Sequence, residues 1–278
     1  MSVLVGKPAP DFTAPAVMPS GGIVNDFKLS GLKGKYTVLF FWPLDFTFVC
    51  PTEIIAHDRR MEAFKQRNVE VVGVSIDSQF THFAWRGTPV KEGGIGSVQF
   101  PIVADVKHEI TRAYGIEHPE AGVALRASFL IDREGMVQHQ VVNNLPLGRN
   151  VTEMLRMVDA LKFTEEHGEV CPAGWQDGKP GMKGSTEGVA DYLANLLAPT
   201  RGDLGFDHAL IDPLGLYIRR TRPADERPER DADRLAAGGV RAAAALTHRP
   251  SAGDGVGQTL AMFRSRYSSS RFPNASTR

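Results

Sequence analysis

Tyr36-Thr37-Val38-Leu39-Phe40-Phe41-Trp42, then Pro43-Leu44-Asp45-Phe46-Thr47-Phe48-Val49, then Cys50-Pro51-Thr52-Glu53 is the stretch from which the fold is read. Tyr36 to Trp42 is an apolar run of β-favouring residues and suits a buried strand. A loop follows, and a helix begins near Cys50. Over Thr52 to Asn68 the spacing puts Ile54, Ile55, Met61 and Phe64 on one side. Pro51 fits the first helical turn, where its missing N–H would have had no partner. A thiol in that turn faces free backbone N–H groups and the positive end of the helix dipole. Both favour the thiolate, which is the nucleophilic form. Local physics alone therefore makes Cys50 a candidate reactive cysteine.

Working outward, Glu70 to Ile76 reads as a buried strand, Phe100 to Ala104 as a short strand and His108 to Tyr114 as a short helix. Ala127 to Ile131 and Met136 to Val142 flank Asp132-Arg133-Glu134-Gly135, a strong hairpin turn. Asn150 is a candidate N-cap with Glu153 three residues on, as in a capping box. Val151, Met154, Leu155, Val158 and Leu161 then line one face. Strands alternating with helices, and an antiparallel hairpin late in the chain, predict an α/β fold: a mixed sheet flanked by helices. The hairpin argues against a purely doubly wound parallel sheet.

These segments delimit a domain over residues 1–164. Glu165 to Gly184 is rich in Gly, Pro and charge and reads as an extended C-terminal arm. That arm, residues 165–198, contains Cys171 and a short terminal helix over Glu187 to Leu197. From Pro199 the composition shifts: thirteen arginines and no lysine, against nine arginines and ten lysines before it. The tail, 199–278, has weak periodicity, with one possible helix over Ala224 to Leu246 interrupted by Gly238-Gly239, and reads as disordered. Its nine acidic residues, interspersed with the arginines, argue against nucleic-acid binding.

The formal net charge is zero, so overall charge points to no nucleic acid, acidic substrate or membrane. No run approaches the ~20 apolar residues of a membrane-spanning helix. Met1 to Asp11 lacks an apolar secretory core, so a cytoplasmic location is expected. The two cysteines, Cys50 and Cys171, can make neither a CxxC pair nor a four-ligand zinc site. His57, His82, His108, His118 and His139 show no metal-ligand spacing, so no metal and no cofactor are expected. Trp85 and Trp175 read as packing aromatics.

Pro43-x-x-x-Thr47-x-x-Cys50 resembles the signature of the peroxiredoxins. Phe46-Thr47-Phe48-Val49-Cys50-Pro51-Thr52-Glu53 resembles the typical two-cysteine branch, the alkyl hydroperoxide reductase C and thiol-specific antioxidant proteins. Further similarity lies in Phe80-Thr81-His82-Phe83-Ala84-Trp85, in Gly93-Gly94-Ile95-Gly96, in Arg126 at the head of a strand, and in Glu169-Val170-Cys171-Pro172-Ala173-Gly174-Trp175. It covers roughly residues 3–197 and not the tail.

The resemblance implies a thioredoxin-like fold and a thiol peroxidase acting on hydrogen peroxide and organic hydroperoxides. It implies that Cys50 attacks the peroxide and that Cys171 of a partner subunit resolves the sulfenic acid as a disulfide. It assigns Thr47 and Arg126 to hydrogen-bonding sulfur and peroxide, Pro43 to shielding the sulfenic acid, and Glu53 to orienting the arginine. It further implies a homodimer, with decameric rings known in the family, and a thioredoxin-like or flavoprotein disulfide reductase as reductant. The family's Tyr-Phe pair, linked to peroxide sensitivity, has Tyr192-Leu193 as its counterpart here. Simpler readings stand beside these: Thr47 as a loop or capping residue, Arg126 as a surface ion pair, Glu53 as a first-turn acid favoured by the dipole, Cys171 as a spare thiol. A redox-switched chaperone or a peroxide sensor relaying oxidation to a partner protein is the alternative function.

Overall fold

The structure is a computed structural model that describes residues 3–197. The tail 199–278, with the helix expected over Ala224 to Leu246, lies outside the described residues.

Seven strands form one sheet: β1 (Thr13–Val17), β2 (Ile23–Lys28), β3 (Tyr36–Phe41), β4 (Val69–Ser75), β5 (Ile102–Ala104), β6 (Arg126–Ile131) and β7 (Val137–Asn143), in the order β2-β1-β5-β4-β3-β6-β7. The β3–β4 and β4–β5 pairs are parallel, and β6, β7, β1 and β2 add antiparallel to the two sides. Among the described residues six α-helices accompany the sheet: α1 (Cys50–Asp58), α2 (Met61–Gln66), α3 (Gln79–Gly87), α4 (Glu109–Ala113), α5 (Val151–His167) and α6 (Thr186–Leu197).

All six residues of β3 are buried, because both faces of the sheet are covered. Val38 and Phe40 point into one core with Ile54 of α1, Phe64 of α2, Trp85 of α3 and Val158 of α5. Leu39 and Phe41 point into a second core with Ala16 of β1, Ile110 of α4 and Phe129 of β6. Gly73 of β4 makes room for Trp42: a methyl group there would meet the indole Cζ3 at 2.6 Å. Among the described residues no helix is long and apolar enough to cross a membrane.

The mixed, helix-flanked sheet agrees with the sequence reading. The expected hairpin is β6–β7, and its turn is closed by Asp132, whose Oδ1 accepts from the N–H groups of Glu134 and Met136. Four details differ. The helix expected over Thr52 to Asn68 is two helices, because Arg60 N–H donates to the His57 carbonyl, three residues back, and turns the chain. Asn150 caps α5 as expected, accepting from Thr152 N–H at 2.9 Å and Glu153 N–H at 3.4 Å. The reciprocal half of the capping box is not made, since the Glu153 carboxylate accepts from Arg156 instead. Helix α5 also runs on to His167, ending at Gly168 with φ 68°, so the start of the stretch read as an arm is helical. The β1–β2 hairpin and α3 are additions to the elements read from the sequence.

Candidate active site

Cys50 is the first residue of α1 and is fully buried. The preceding loop, 43–49, is held from below by polar bonds. Asp45 Oδ1 accepts from Trp42 Nε1 at 2.8 Å, Asp45 Oδ2 meets His82 Nδ1 at 2.6 Å, and Asp45 N–H donates to Asp77 Oδ2 at 2.8 Å. Burial, and then the neighbouring Asp45 charge, push the Asp77 carboxyl up. Phe46 sits at φ +54°, a conformation uncommon for a bulky residue, and its ring packs on Trp85 with centroids 5.6 Å apart. This loop brings Thr47 Oγ1 to 2.9 Å from Cys50 Sγ and 2.8 Å from the Leu44 carbonyl. Pro43 is buried at the start of the loop, next to Trp42, which follows the end of β3.

Arg126 arrives from the sheet. The antiparallel register, Phe40 opposite Ser128, runs the start of β6 alongside the end of β3. Arg126 Nη1 donates to Cys50 Sγ at 3.3 Å and to Glu53 Oε2 at 2.8 Å, and its Nε donates to the Leu145 carbonyl at 2.6 Å. The guanidinium is buried rather than paired at the surface, which removes the simpler reading of a surface salt bridge.

Glu53 lies one helical turn beyond Cys50 and faces inward. Besides Arg126, it accepts from Arg149 three times: from the backbone N–H at 2.9 Å, from Nε at 2.7 Å and from Nη2 at 2.9 Å. Burial opposes its charge, but the bonds and charge of Arg149, with the charge of Arg126, hold the carboxyl below its ordinary value. Two guanidinium charges against one carboxylate leave one net positive charge beside the sulfur. Arg149, absent from the sequence-based candidates, therefore belongs to the site; 96 residues separate it from Glu53, and no local pattern marks it. Asp45 and His82 were equally silent as loop anchors, since the histidine alone reads as a packed side chain.

Cys171 is not brought to Cys50 within one chain. It is half-buried against α5, its Sγ 3.5 Å from the Ala160 carbonyl and 3.7 Å from Thr164 Oγ1, and both cysteines are free thiols. Trp85 and Trp175 are buried, as packing aromatics should be. The Gly93–Gly96 turn is tied to Trp85, whose Nε1 donates to the Gly93 carbonyl at 2.8 Å. Among the described residues no group of His, Cys, Asp or Glu side chains is arranged to hold a metal.

A buried sulfur at a helix start can attack an electrophile, and the hydroxyl and guanidinium within its reach can stabilise the negative charge that departs. Comparison with known proteins gives this chemistry a family. Residues 5–140 match the AhpC/TSA family, and residues 160–195, which include Cys171, match the C-terminal domain of 1-Cys peroxiredoxin. The chain is 58% identical to alkyl hydroperoxide reductase C of Buchnera aphidicola over 191 residues, 68% of this chain and 96% of that protein. It is 58% identical to alkyl hydroperoxide reductase C of Helicobacter pylori over 192 residues, 69% of this chain and 96% of that protein. Among solved structures, the reduced 2-Cys peroxiredoxin of Plasmodium vivax superposes with a TM-score of 0.67 at 48% identity, covering 69% of this chain and 100% of that one. With the sheet, the thiol site and these likenesses in agreement, the chain belongs to the AhpC/TSA family of peroxiredoxins and is a peroxidase of the oxidoreductase class.

Proposed function

We propose that the protein reduces hydrogen peroxide and organic hydroperoxides in two thiol steps, with Cys50 as nucleophile and Cys171 of a second copy as resolving thiol. The observation that carries the reading is the convergence of Thr47 Oγ1 and Arg126 Nη1 on Cys50 Sγ, at 2.9 and 3.3 Å. In the first step the Cys50 thiolate attacks the terminal peroxide oxygen. An S–O bond forms and the O–O bond breaks. The sulfur is oxidised to a sulfenic acid, and the other oxygen leaves as an alkoxide or hydroxide that takes up a proton. Arg126 is always charged and offers donors in fixed directions, so it serves both the sulfur and the departing oxygen. Thr47 donates to the thiolate and then accepts from the bound peroxide. Glu53, held by Arg149, fixes the Arg126 fork. Pro43 walls the pocket against water.

In the second step the Cys171 sulfur attacks the sulfenic sulfur. The S–S bond forms, the S–O bond breaks, and the oxygen leaves as water with the thiol proton. A dithiol reductant, thioredoxin-like or a flavoprotein disulfide reductase, returns both thiols. Because one chain keeps Cys171 on its own α5, away from Cys50, resolution across a two-fold homodimer is the arrangement proposed, with rings of dimers as the larger assembly. No membrane or nucleic-acid partner is part of this reading.

The test is peroxide consumption by the whole protein with a dithiol reductant in excess. Wild type turns over, and Cys50→Ser falls to the uncatalysed rate. Thr47→Val loses roughly two orders of magnitude in kcat/KM, while Thr47→Ser retains most of it. Full turnover by Cys50→Ser would refute the assignment.

A further inference from the structure

The segment that carries Cys171 is a closed loop seated on α5. Val170 and Met182 form its neck, exchanging two backbone hydrogen bonds of 2.9 Å, and Cys171 is the first residue inside it. Within residues 171–180 only Trp175 is buried, at 3% exposure. Its ring packs on Phe163 of α5 with centroids 4.8 Å apart, and its Nε1 donates to the Lys179 carbonyl at 2.9 Å. The loop presses closely on α5: a methyl group at Gly181 would lie 2.5 Å from the Phe163 ring.

One side chain of α5 closes this loop by a charged bond. Arg156 Nη1 donates to the Trp175 carbonyl at 2.9 Å. Its other donors grip both oxygens of Glu153 at 2.7 Å, so the fork points at the loop without freedom to turn. The Cys171 thiol meanwhile has the Ala160 carbonyl as its acceptor. A thiol so placed must leave its seat before it attacks another sulfur, and the Arg156–Trp175 bond opposes that departure.

We propose that Arg156 is a positioning residue for resolution: with Trp175 it latches the 170–182 loop to α5 and sets how fast Cys171 is released to the sulfenic acid. This rests on the Cys50 and Cys171 roles proposed above. The latch divides oxidised Cys50 between two fates. Slow release leaves the sulfenic acid open to a second peroxide, which oxidises it to the sulfinic acid. Fast release traps it as the disulfide.

The experiment is rapid mixing of pre-reduced full-length protein with hydrogen peroxide, following Cys50 oxidation and disulfide formation separately, with sulfinic acid scored by mass. A charge-assisted bond to a carbonyl is removed in Arg156→Ala, and disulfide formation is expected to rise roughly three- to tenfold. The second-order rate of Cys50 oxidation stays unchanged, and the sulfinic fraction under excess peroxide falls. Arg156→Lys, which keeps one donor but not the fork, lies between the two. Trp175→Phe, which keeps the ring and loses the bond to Lys179, also speeds the disulfide step. General loosening of the fold would alter both rates, not their ratio. An unchanged or slower disulfide step in Arg156→Ala, with wild type forming the Cys50–Cys171 disulfide normally, overturns the latch alone. Absence of that disulfide in wild type would sink the reading beneath it as well.

Discussion

Thr47 has one hydroxyl proton and two acceptors for it, the Leu44 carbonyl at 2.8 Å and Cys50 Sγ at 2.9 Å. When the sulfur carries the proton, Thr47 donates to Leu44 and its oxygen receives the S–H. When the sulfur is anionic, the hydroxyl turns to it. This two-way capacity is why a threonine or serine suits the position and valine, of similar shape, does not. Arg126 has no such freedom, because Leu145, Glu53 and Cys50 each take one of its directions. Arg149 in turn fixes Glu53, and removing it leaves a buried carboxylate short of two side-chain donors. A buried pair broken on one side typically costs about 3–5 kcal/mol. Arg149→Met is therefore expected to lower the midpoint of urea unfolding. It should also slow Cys50 oxidation by roughly one order of magnitude, less than Arg126→Met, which touches the sulfur directly. Stopped-flow oxidation rates decide this; an Arg149→Met rate equal to wild type would show that Glu53 holds Arg126 unaided.

At the scale of elements, α1 presents Cys50 from its first turn. It is fastened at its far end by His57, whose Nδ1 donates to the Glu53 carbonyl at 2.7 Å and whose ring stacks on Phe40 with centroids 4.0 Å apart. Burial, and next the Arg149 charge, push this histidine down from 6.5 to about 4. The unfolded chain binds a proton there at a higher pH than the folded one does. The neutral stack thus contributes fully above pH 6.5, and its contribution is lost as pH falls toward 4. Across that window the loss amounts to about 3 kcal/mol at most. Urea unfolding at pH 7 and at about pH 4.5, at one protein concentration, should show wild type losing stability more steeply than His57→Phe. The variant starts weaker at pH 7, having lost the bond to Glu53, but its stability changes less. Parallel losses in the two proteins would remove His57 from the account.

For the whole molecule, legibility in the sequence followed burial. Strands β3 and β4 are mostly apolar because both their faces are covered, and the β6–β7 turn carries its own Asp and Gly. The hairpin β1–β2 escaped reading because Pro15 sits at a register shift in β1, and β2 is a largely exposed edge strand. Helix α3 escaped because its phenylalanines, Phe80 and Phe83, face outward while His82, Trp85 and Arg86 are the buried residues. In the site, Thr47, Cys50 and Glu53 were legible through local spacing and the resemblance it carries, and Arg126 through its place at a strand start. Arg149, Asp45 and His82 depend on contacts between distant segments, which no local pattern encodes. In this structure Cys50 and Cys171 are free thiols that do not meet, and the proposed mechanism turns on how they come together. The most direct measurement is a non-reducing gel of pre-reduced protein after one equivalent of hydrogen peroxide, with Cys50→Ser, Cys171→Ser and an equimolar mixture of the two variants alongside. The account predicts a rapid covalent dimer in wild type, none at a comparable rate in either variant alone, and a dimer restored in the mixture once subunits have exchanged. Wild type that stays monomeric on the gel while Cys50 oxidises would contradict resolution by a partner subunit.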